Sequence, residues 1–432
     1  MVAGGTAPAV RPVTWRTWIE PWFLSYALLG ASVAGMAPIL LPLSVRMGGS
    51  ATDIGLVMGA FNLGGLSAPA WGRIADHHGL HRVLLLTGLL GTAFSLAVFP
   101  SVSSLSVRLL LALAQGAGAA SAATVANLFI VEIRPRSEWD ERIGWLQTFY
   151  GGGQVLGLLL AGLLSGSDLH FGFIIAAGIT LSACLPVFFI KRIRRSVPVP
   201  RPVLNHPSRH AGLTALSPQS LYHHVNFEAL VSQVRSLVLP FGIFLFGWFM
   251  SYGGVAAFFS LFPVLMKQVY GVDPSTGSIA FAAAATAGLF LYAPAGTLSR
   301  KYGALAVFRW ALVIRVLAFL ALLTIGFANN GAGGVLAIIS FGFVVMAWSI
   351  LSVTGTQITA QFSEEHEGEG LGLFNASTGL AGFLGAVIGG WSAGMWGYKV
   401  VPALGVGGVA VGMLMSGKVK PPASKPEEKE KG

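Results

Sequence analysis

The chain has 432 residues, of which 54% are hydrophobic and only 10% are charged, and its mean hydropathy is +0.71. Soluble domains carry about 25% charged residues because their surface faces water. The charges here are too few to cover a soluble protein of this size, and a disordered chain is excluded because disorder requires low hydrophobicity. The single cysteine, Cys184, excludes a disulfide framework and any multi-cysteine metal site.

Twelve apolar segments are long enough to cross a bilayer at about 1.5 Å per residue. None has the alternating pattern of an outer-membrane barrel strand, and the first is too long for the core of a signal peptide. The sequence therefore predicts an all-α membrane protein with twelve transmembrane helices. The segments, numbered 1 to 12, cover residues 22–45, 54–72, 83–100, 105–132, 143–165, 170–190, 237–265, 276–298, 304–327, 333–359, 371–394 and 399–416.

Basic residues are distributed unequally between the two sides of the membrane. An even number of spans places both termini on one side, and that side carries 21 of the 27 Lys and Arg residues. The other side has only Arg46, Arg108, Lys267 and Lys399. Because cytoplasmic loops carry the excess of Lys and Arg, both termini and the loop after segment 6 are predicted to be cytoplasmic, in an inner or plasma membrane.

The loop at residues 191–236 divides the chain into two six-helix halves, 1–190 and 237–417. It begins basic and Pro-rich, and residues 219–235 place apolar side chains at helical spacing, which fits either a short helix on the membrane surface or a solvated linker. Its four histidines have no cysteine partner, and no metal site is predicted there. Residues 418–432 are rich in Lys, Glu and Pro, which predicts a disordered cytoplasmic tail.

The two halves share a pattern of glycines. An Ala-Pro-Ala run followed by two glycines seven residues apart begins near the end of segment 2 and again near the end of segment 8, at an offset of 224 for the glycines. A second match, at a constant offset of 228, pairs Gly144, Gly157 and Gly162 in segment 5 with Gly372, Gly385 and Gly390 in segment 11. Agreement at both places supports a duplicated six-helix unit. Parallel repeats of this kind bind substrate between the halves near the midplane.

The stretch from Gly72 to Arg82 has Asp four residues after the first glycine, a second glycine three residues later, and then a basic residue. This pattern resembles the signature of the loop between helices 2 and 3 in the major facilitator superfamily. The second copy, residues 296–303, keeps the glycines but has Arg300 where Asp76 stands in the first. The resemblance covers segments 1 to 12 and implies two pseudo-symmetric halves that work as a transporter by alternating access.

The resemblance also implies a gate at the cytoplasmic ends of the helices. Asp76 can interact with the positive end of a neighbouring helix or with arginines, and Glu132 resembles the acidic residue often found at the inner end of helix 4. A charge cluster there is expected to close the cytoplasmic side of the outward-facing state; a loop that only sets topology is the alternative. The predicted gating residues are Gly72, Asp76, Gly79, Arg82, Glu132 and Arg142.

A glycine-rich run in segment 5 bears on the direction of transport. Gly153, Gly157 and Gly162 resemble the glycine-rich motif of antiporters, although Leu158 stands where that motif has a proline. A family pattern in segment 4 is also incomplete, because Ala112 stands where arginine is expected. Although both patterns are incomplete, the resemblance of the segment 5 glycines to the antiporter motif favours secondary active efflux of a small organic solute.

Titratable groups are missing from the middle of the predicted helices. Asp53, Asp273, Asp76 and Glu132 all lie at segment ends, and no histidine is mid-segment. A proton-coupled carrier normally needs a titratable relay at depth, so strong proton coupling through a deep carboxylate is not expected. The alternatives are coupling through Glu132 or Asp76 at the cytoplasmic end, another ion, or an exchanged solute. The segments also lack the paired carboxylates, histidine clusters or base-activated nucleophile of an intramembrane enzyme. We expect no enzyme activity, cofactor or metal.

Polar and aromatic side chains within the segments are candidates for a substrate cavity. Trp248 and Tyr252 are four residues apart, so they share one face of segment 7. An aromatic and amide-lined cavity suits an amphipathic organic molecule, whereas packing or bridging between helices is an equally good explanation for each residue. The candidates are Tyr26, Asn62, Arg108, Gln115, Asn127, Gln147, Gln154, Trp248, Tyr252, Tyr292, Gln357 and Asn375.

Two arginines lie at unusual places for a membrane helix. By the resemblance, Arg108 is near the outer mouth of the cavity, and Arg315 is on a supporting helix, where it can snorkel or pair with carbonyl groups. Uptake or exchange of an organic anion through Arg108 is thus the alternative function, and a transport-inactive sensor or scaffold is the least favoured. The expected partners are a small-molecule substrate, the lipid bilayer, and a coupling ion or exchanged solute. No nucleic-acid partner is expected, and the protein is predicted to be a monomer.

Overall fold

The computed structural model describes residues 19–133, 138–166, 168–189, 240–328, 333–363 and 367–419, without the side chains of 76–78, 131–133, 140 and 367–369. The described residues form helices and turns, with no strand among them. The helices, numbered α1 to α12, are Phe23–Arg46, Ala51–Gly65 continued by Ala68–His78, His81–Val98, Leu105–Ile133, Trp139–Leu164, Leu169–Ser182 continued by Cys184–Val187, Pro240–Tyr270, Pro274–Tyr302, Ala304–Ala328, Gly333–Phe362, Glu367–Trp396 and Val401–Lys418.

The predicted twelve-helix membrane architecture is confirmed, with helix ends shifted by a few residues. Eleven of the described helices are long and apolar enough to cross a membrane. The other is α5, where Gln147 and Gln154 lower the hydropathy of a helix that is long enough to cross. The predicted middle loop lies outside the described residues, as does the tail beyond Val419. Lys418, assigned to the tail from the sequence, is the last residue of α12.

The segment predicted to be the loop between helices 2 and 3 is mostly helical, which corrects the sequence-based assignment. Gly72 and the backbone of Asp76 lie within the second part of α2, and only Gly79 and Leu80 connect it to α3. Gly79 has φ +62°, a left-handed conformation that favours glycine, and its N–H donates to the carbonyl oxygen of Ala75 at 2.8 Å. The second signature glycine therefore terminates a helix.

Glycines allow α5 and α11 to pack directly on the first helix of their own half. A Cβ built on Gly157 of α5 would lie 2.0 Å from the carbonyl oxygen of Ala31 in α1. In the other half, a Cβ on Gly385 of α11 would lie 2.2 Å from the carbonyl oxygen of Gly253 in α7. The two positions were paired by the internal repeat, and they make equivalent contacts.

The next glycines of the repeat make contacts across the two halves. A Cβ on Gly162 of α5 would lie 3.1 Å from the carbonyl oxygen of Ser275 in α8. A Cβ on Gly390 of α11 would lie 2.6 Å from the Cα of Gly55 in α2. In each case the fifth helix of one half packs on the second helix of the other. The pseudo-symmetry predicted from the glycine spacing is therefore present in the packing.

Helix α1 is widened at its centre. Residues Gly30–Met36 form a π-helical turn region between two α-helical parts, and π-turns of this kind are frequent at functional sites. The widened region lies against α5, since a Cβ on Gly30 would meet the carbonyl oxygen of Tyr150 at 2.3 Å. The irregular part of α1 is thus held by the glycine-rich face of α5.

The buried side chains form two separate cores. We call the side of the membrane where α1 begins and α12 ends the terminal side, and the opposite one the far side. The joint core contains residues of both halves, such as Ile54, Leu158 and Phe258, and its members from the N-terminal half all lie toward the far side. The N-terminal core includes Tyr26 and Phe129, lies toward the terminal side, and contains described residues of the N-terminal half alone. Among the described residues, the buried core that the halves share therefore reaches the N-terminal half only toward the far side, and toward the terminal side that half has a core of its own.

We expect Gly157→Ala to destabilise the protein by about 2 kcal/mol or more, because the added methyl group must push two helix backbones apart. Gly152→Ala is the matched control: it lies in the same helix with nothing within 4 Å of an added Cβ, and alanine favours a helix by about 0.5–1 kcal/mol over glycine. Apparent melting temperatures of the detergent-purified variants measure both effects. A Gly157→Ala protein that melts at or above the wild-type temperature would contradict this packing.

Candidate functional site

The first candidate cluster lies in the N-terminal half and joins α1, α4 and α5. The rings of Tyr26 and Tyr150 are 4.8 Å apart between centroids. The hydroxyl of Tyr26 interacts with the side-chain amides of Gln147 and Asn127. Of these four residues, only Tyr150 was missed from the sequence, although it stands three residues after Gln147 and thus on the same side of α5. We call these four residues the N-terminal cluster.

The second candidate cluster lies in the C-terminal half and is mainly aromatic. The indole N–H of Trp248 donates to the hydroxyl of Thr378 at 2.7 Å, and its ring lies 4.5 Å from that of Phe374. Tyr252 stacks on Trp248 at 6.1 Å and contacts Trp348 of α10 at 5.5 Å. Trp248 and Tyr252 thus share a face of α7 as predicted, whereas their partners on α10 and α11 were missed. We call these five residues the C-terminal cluster.

Arg315 adds a charge to the back of the C-terminal cluster. Its side chain, on α9, is 2% exposed. Its Nη2 donates to the carbonyl oxygen of Val344 at 3.2 Å, and its Cζ lies 5.9 Å from the centre of the Trp348 ring. Pairing with a neighbour's carbonyl group was one of the alternatives left by the sequence, and the structure has that bond.

The C-terminal cluster reaches the boundary between the halves at Asn62. The amide Nδ2 of Asn62 donates to the carbonyl oxygen of Gly382 in α11 at 3.3 Å, and to Met58 of its own helix at 3.0 Å. A Cβ built on Gly382 would lie 3.4 Å from Cγ of Asn62 and 3.5 Å from Cε1 of Tyr252. Asn62 and Tyr252 therefore meet over Gly382, so the two halves come together beside the aromatic rings.

Polar contacts on the far side also join the halves. With its amide oxygen facing Arg46 of α1, Gln268 of α7 accepts hydrogen bonds from Nη2 at 3.0 Å and from Nε at 3.2 Å. The guanidinium Cζ of Arg46 is 6.0 Å from the ring centre of Tyr398, just before α12. From the sequence, Arg46 entered only the count of basic residues, because its partners lie more than two hundred positions away.

On the terminal side, buried Arg142 forms a charge cluster within the N-terminal half. It pairs with Glu20 at 3.0 Å and with Glu138 at 2.8 Å, and the indole of Trp22 donates to Glu20 at 2.9 Å. These contacts tie the beginning of α1 to the beginning of α5. Glu20 was missed because it precedes the first apolar segment. The expected partner side chain, Glu132, lies outside the described residues, as does that of Asp76.

Arg82, another predicted gating residue, lies with its guanidinium 5.0 Å from the ring centre of Phe188.

Arg108 lies at the far-side end of α4, where its Nε donates to the carbonyl oxygen of Val102 at 2.7 Å and its Cζ is 5.7 Å from the ring centre of Phe99. These contacts give Arg108 a local role in holding the turn between α3 and α4.

The remaining predicted cavity residues do not join either cluster. Gln115 is fully buried, and neither atom of its amide has a hydrogen-bond partner among the described residues. Gln154, Gln357 and Asn375 are half-buried, and Tyr292 is exposed. The structure thus concentrates the candidate site in two clusters, one from each half, whose described residues offer aromatic faces, amides and hydroxyls but no carboxylate.

Comparison with known proteins gives partial matches to drug exporters. Multidrug resistance protein MdtG of Dickeya zeae is 29% identical over 191 residues, and a multi-drug resistance efflux pump PmrA homolog of Lactococcus lactis is 30% identical over 199 residues. Each match covers 42% of this chain and 46% of the relative, so the similarity spans less than half of the length of either relative.

Solved structures share the fold over nearly the whole chain. The nucleoside transporter NupG superposes with a TM-score of 0.70 at 17% identity, covering 93% of this chain and 97% of that one. A D-xylose–proton symporter superposes with a TM-score of 0.67 at 14% identity, covering 94% and 99%. Residues 22–356 match the sequence pattern of the Major Facilitator Superfamily. With twelve helices, two pseudo-symmetric halves and this match over most of its length, the chain belongs to the Major Facilitator Superfamily of membrane transporters.

Proposed function

We propose that the protein exports a small amphipathic organic molecule across the plasma membrane by alternating access, with its termini in the cytoplasm. The observation that carries the proposal is the pair of polar and aromatic clusters, one in each half, of which the C-terminal cluster lies beside the boundary at Asn62 and Gly382. Aromatic faces with a few polar groups suit molecules that have an apolar body and a polar end. The excess of basic residues on the terminal side supports a cytoplasmic location of the termini.

In this proposal the structure represents the state that is open to the cytoplasm. The halves share a core on the far side, while the N-terminal core is separate on the terminal side, so a substrate enters between the halves from the terminal side. Bound substrate draws the two clusters together. The contacts that must then break include Asn62 to Gly382 and Arg46 to Gln268. Each such hydrogen bond contributes about 1 kcal/mol, and new contacts on the terminal side, together with substrate binding, must offset these bonds and the joint core on the far side.

A gate on the cytoplasmic side is part of the same proposal. We place Gly72, Asp76, Gly79, Arg82 and Glu132 there, at the terminal-side ends of α2, α3 and α4. Arg142 supports the gate from within its own half, because its bonds to Glu20 and Glu138 fix the ends of α1 and α5 relative to each other. Closing of the other half against this fixed surface would seal the cytoplasmic entrance.

Efflux of fluorescent dyes tests the proposed direction and site together. Cells preloaded with cationic, neutral or anionic amphipathic dyes should lose at least one of them faster when they express the protein. Trp248→Ala should slow that loss about tenfold or more, because burying an aromatic side chain contributes about 1.5–3 kcal/mol. Trp391→Ala, at an exposed tryptophan of α11, is the control and should keep wild-type efflux. Faster dye entry in place of faster loss, or equal effects of both variants, would contradict the proposal.

A disulfide across the far side tests alternating access. A Cβ built on Gly394 lies 3.8 Å from the Cβ of Thr52, which matches the separation of about 3.8 Å found in disulfides. In a Cys184→Ser background, the pair Thr52→Cys and Gly394→Cys should stop transport when oxidised and regain it with a reductant. The two single variants should be insensitive to oxidant. Undiminished transport by fully cross-linked protein would rule out movement at this contact.

Proton coupling through a deep carboxylate is not expected, because neither cluster offers an acidic residue or a histidine in its described part. In proteoliposomes that contain a pH-sensitive dye, a substrate gradient should therefore drive little proton flux. Any flux that does occur should disappear in the double variant Asp76→Asn, Glu132→Gln, since only the terminal-side carboxylates remain to carry it. Strong flux that persists in this variant would show that a proton relay exists elsewhere.

A further inference from the structure

Helix α9 contains a buried guanidinium that uses few of its hydrogen-bonding groups. Arginine has five N–H donors, but the hydrogen bond of Arg315 is the one from Nη2 to Val344, and its Nε has no partner in the described part of the chain. No described acidic side chain forms an ion pair with it. Buried guanidinium groups are normally paired, because an uncompensated charge is costly away from water.

The local contacts of Arg315 only partly compensate this charge. The ring of Trp348 lies within the distance of a cation–π contact, and the hydroxyl of Tyr252 interacts with the guanidinium electrostatically. Both are neutral groups. An aromatic ring and a hydroxyl group therefore lie beside the guanidinium, but no negatively charged side chain of the described residues does.

The position of Arg315 connects it to the candidate transport site. Tyr252 and Trp348 are each half-buried; Tyr252 lies at the boundary where Asn62 meets Gly382, and Trp348 contacts both the ring of Tyr252 and the guanidinium of Arg315. A molecule stacked on the rings of the C-terminal cluster would thus have its polar end beside Tyr252, with the free Nε of Arg315 behind it. Charge interactions at such short range are strong where water is excluded.

We propose that the C-terminal cluster binds the acidic group of an aromatic monoanion, such as a carboxylate, with Arg315 as its counter-charge. This inference rests on the proposed function, because it uses the same site and narrows the class of substrate. The aromatic body packs on Trp248 and Trp348, and the anionic group accepts hydrogen bonds from the hydroxyl of Tyr252 and from the guanidinium. Because the bound anion neutralises the charge of Arg315, closing the site costs less free energy in the occupied protein than in the empty protein.

Arg108 is the natural control for this proposal. It is the cation to which the sequence assigned recognition of organic anions, but its Nε is bonded to Val102 and its guanidinium lies on Phe99. Removal of the two arginines is therefore expected to have different effects on anion binding. Removing the charge at 315 should affect anion binding, while removing it at 108 should leave anion binding unchanged.

Calorimetric titration of the purified full-length protein tests the proposal with two probes of nearly equal shape, 2-naphthoate and 2-naphthamide. The buffer contains gluconate in place of chloride, so that a small anion does not compete. Wild-type protein should bind the carboxylate about tenfold more tightly than the amide, the factor expected of one charge-assisted hydrogen bond. Arg315→Gln should remove this preference while changing the affinity for the amide less than twofold, and Arg108→Gln should keep it.

Two results overturn the inference: a wild-type affinity for 2-naphthoate that does not exceed that for 2-naphthamide, or a preference that survives in folded Arg315→Gln. If Arg315→Gln does not fold, Arg315→Lys takes its place and should retain a preference for the carboxylate. Binding of the amide by wild-type protein, weakened by Trp248→Ala, tests the proposed site independently. If wild-type protein binds both probes equally and Trp248→Ala weakens the binding of the amide, the anion subsite is rejected and the proposed function still stands.

Discussion

Backbone contact at glycines is the constraint on which the rest of this structure depends. Lipid is as apolar as the surface of a membrane helix, so helices associate through close packing and not through the hydrophobic effect. In each half, the fifth helix meets the first at a glycine, at Gly157 in one half and Gly385 in the other. These contacts are between backbones, which cannot adjust as side chains do. They fix the first and fifth helices of each half against each other.

Contacts between the halves have a different character. They include a few glycine approaches, the hydrogen bond from Asn62 to Gly382, and the pair of Arg46 with Gln268. The joint core ends where the N-terminal core begins. Rigid-body rotation of packed units about their interface is one of the ways in which proteins switch between two states, and the proposed function uses this one.

Much of the fold could be predicted from the sequence, because helix length, apolarity and glycine spacing are local or periodic signals. The pairing of Gly157 with Gly385 is the best example, since a repeat in the sequence became an equivalent contact in space. The site was predicted only in part. Trp248 and Tyr252 are neighbours on one helix, whereas Trp348 joins them from another, and no spacing rule connects the two. Glu20 was missed as the partner of Arg142 for the same reason, and the sequence left a carbonyl partner for Arg315 as an alternative without identifying Val344, because tertiary packing chooses both.

Distances between spin labels on the two sides of the membrane test the central claim most directly. In a Cys184→Ser background, one pair of labels at exposed Met47 and Trp396 spans the halves on the far side, and a second pair at exposed Leu80 and Tyr302 spans them on the terminal side. Pulsed electron paramagnetic resonance is recorded with and without a transported dye. The account predicts a reciprocal change: the far-side distance lengthens as the terminal-side distance shortens. Distances that stay fixed, or that lengthen together, would contradict the movement of two rigid halves about an interface that is closed on one side of the membrane at a time.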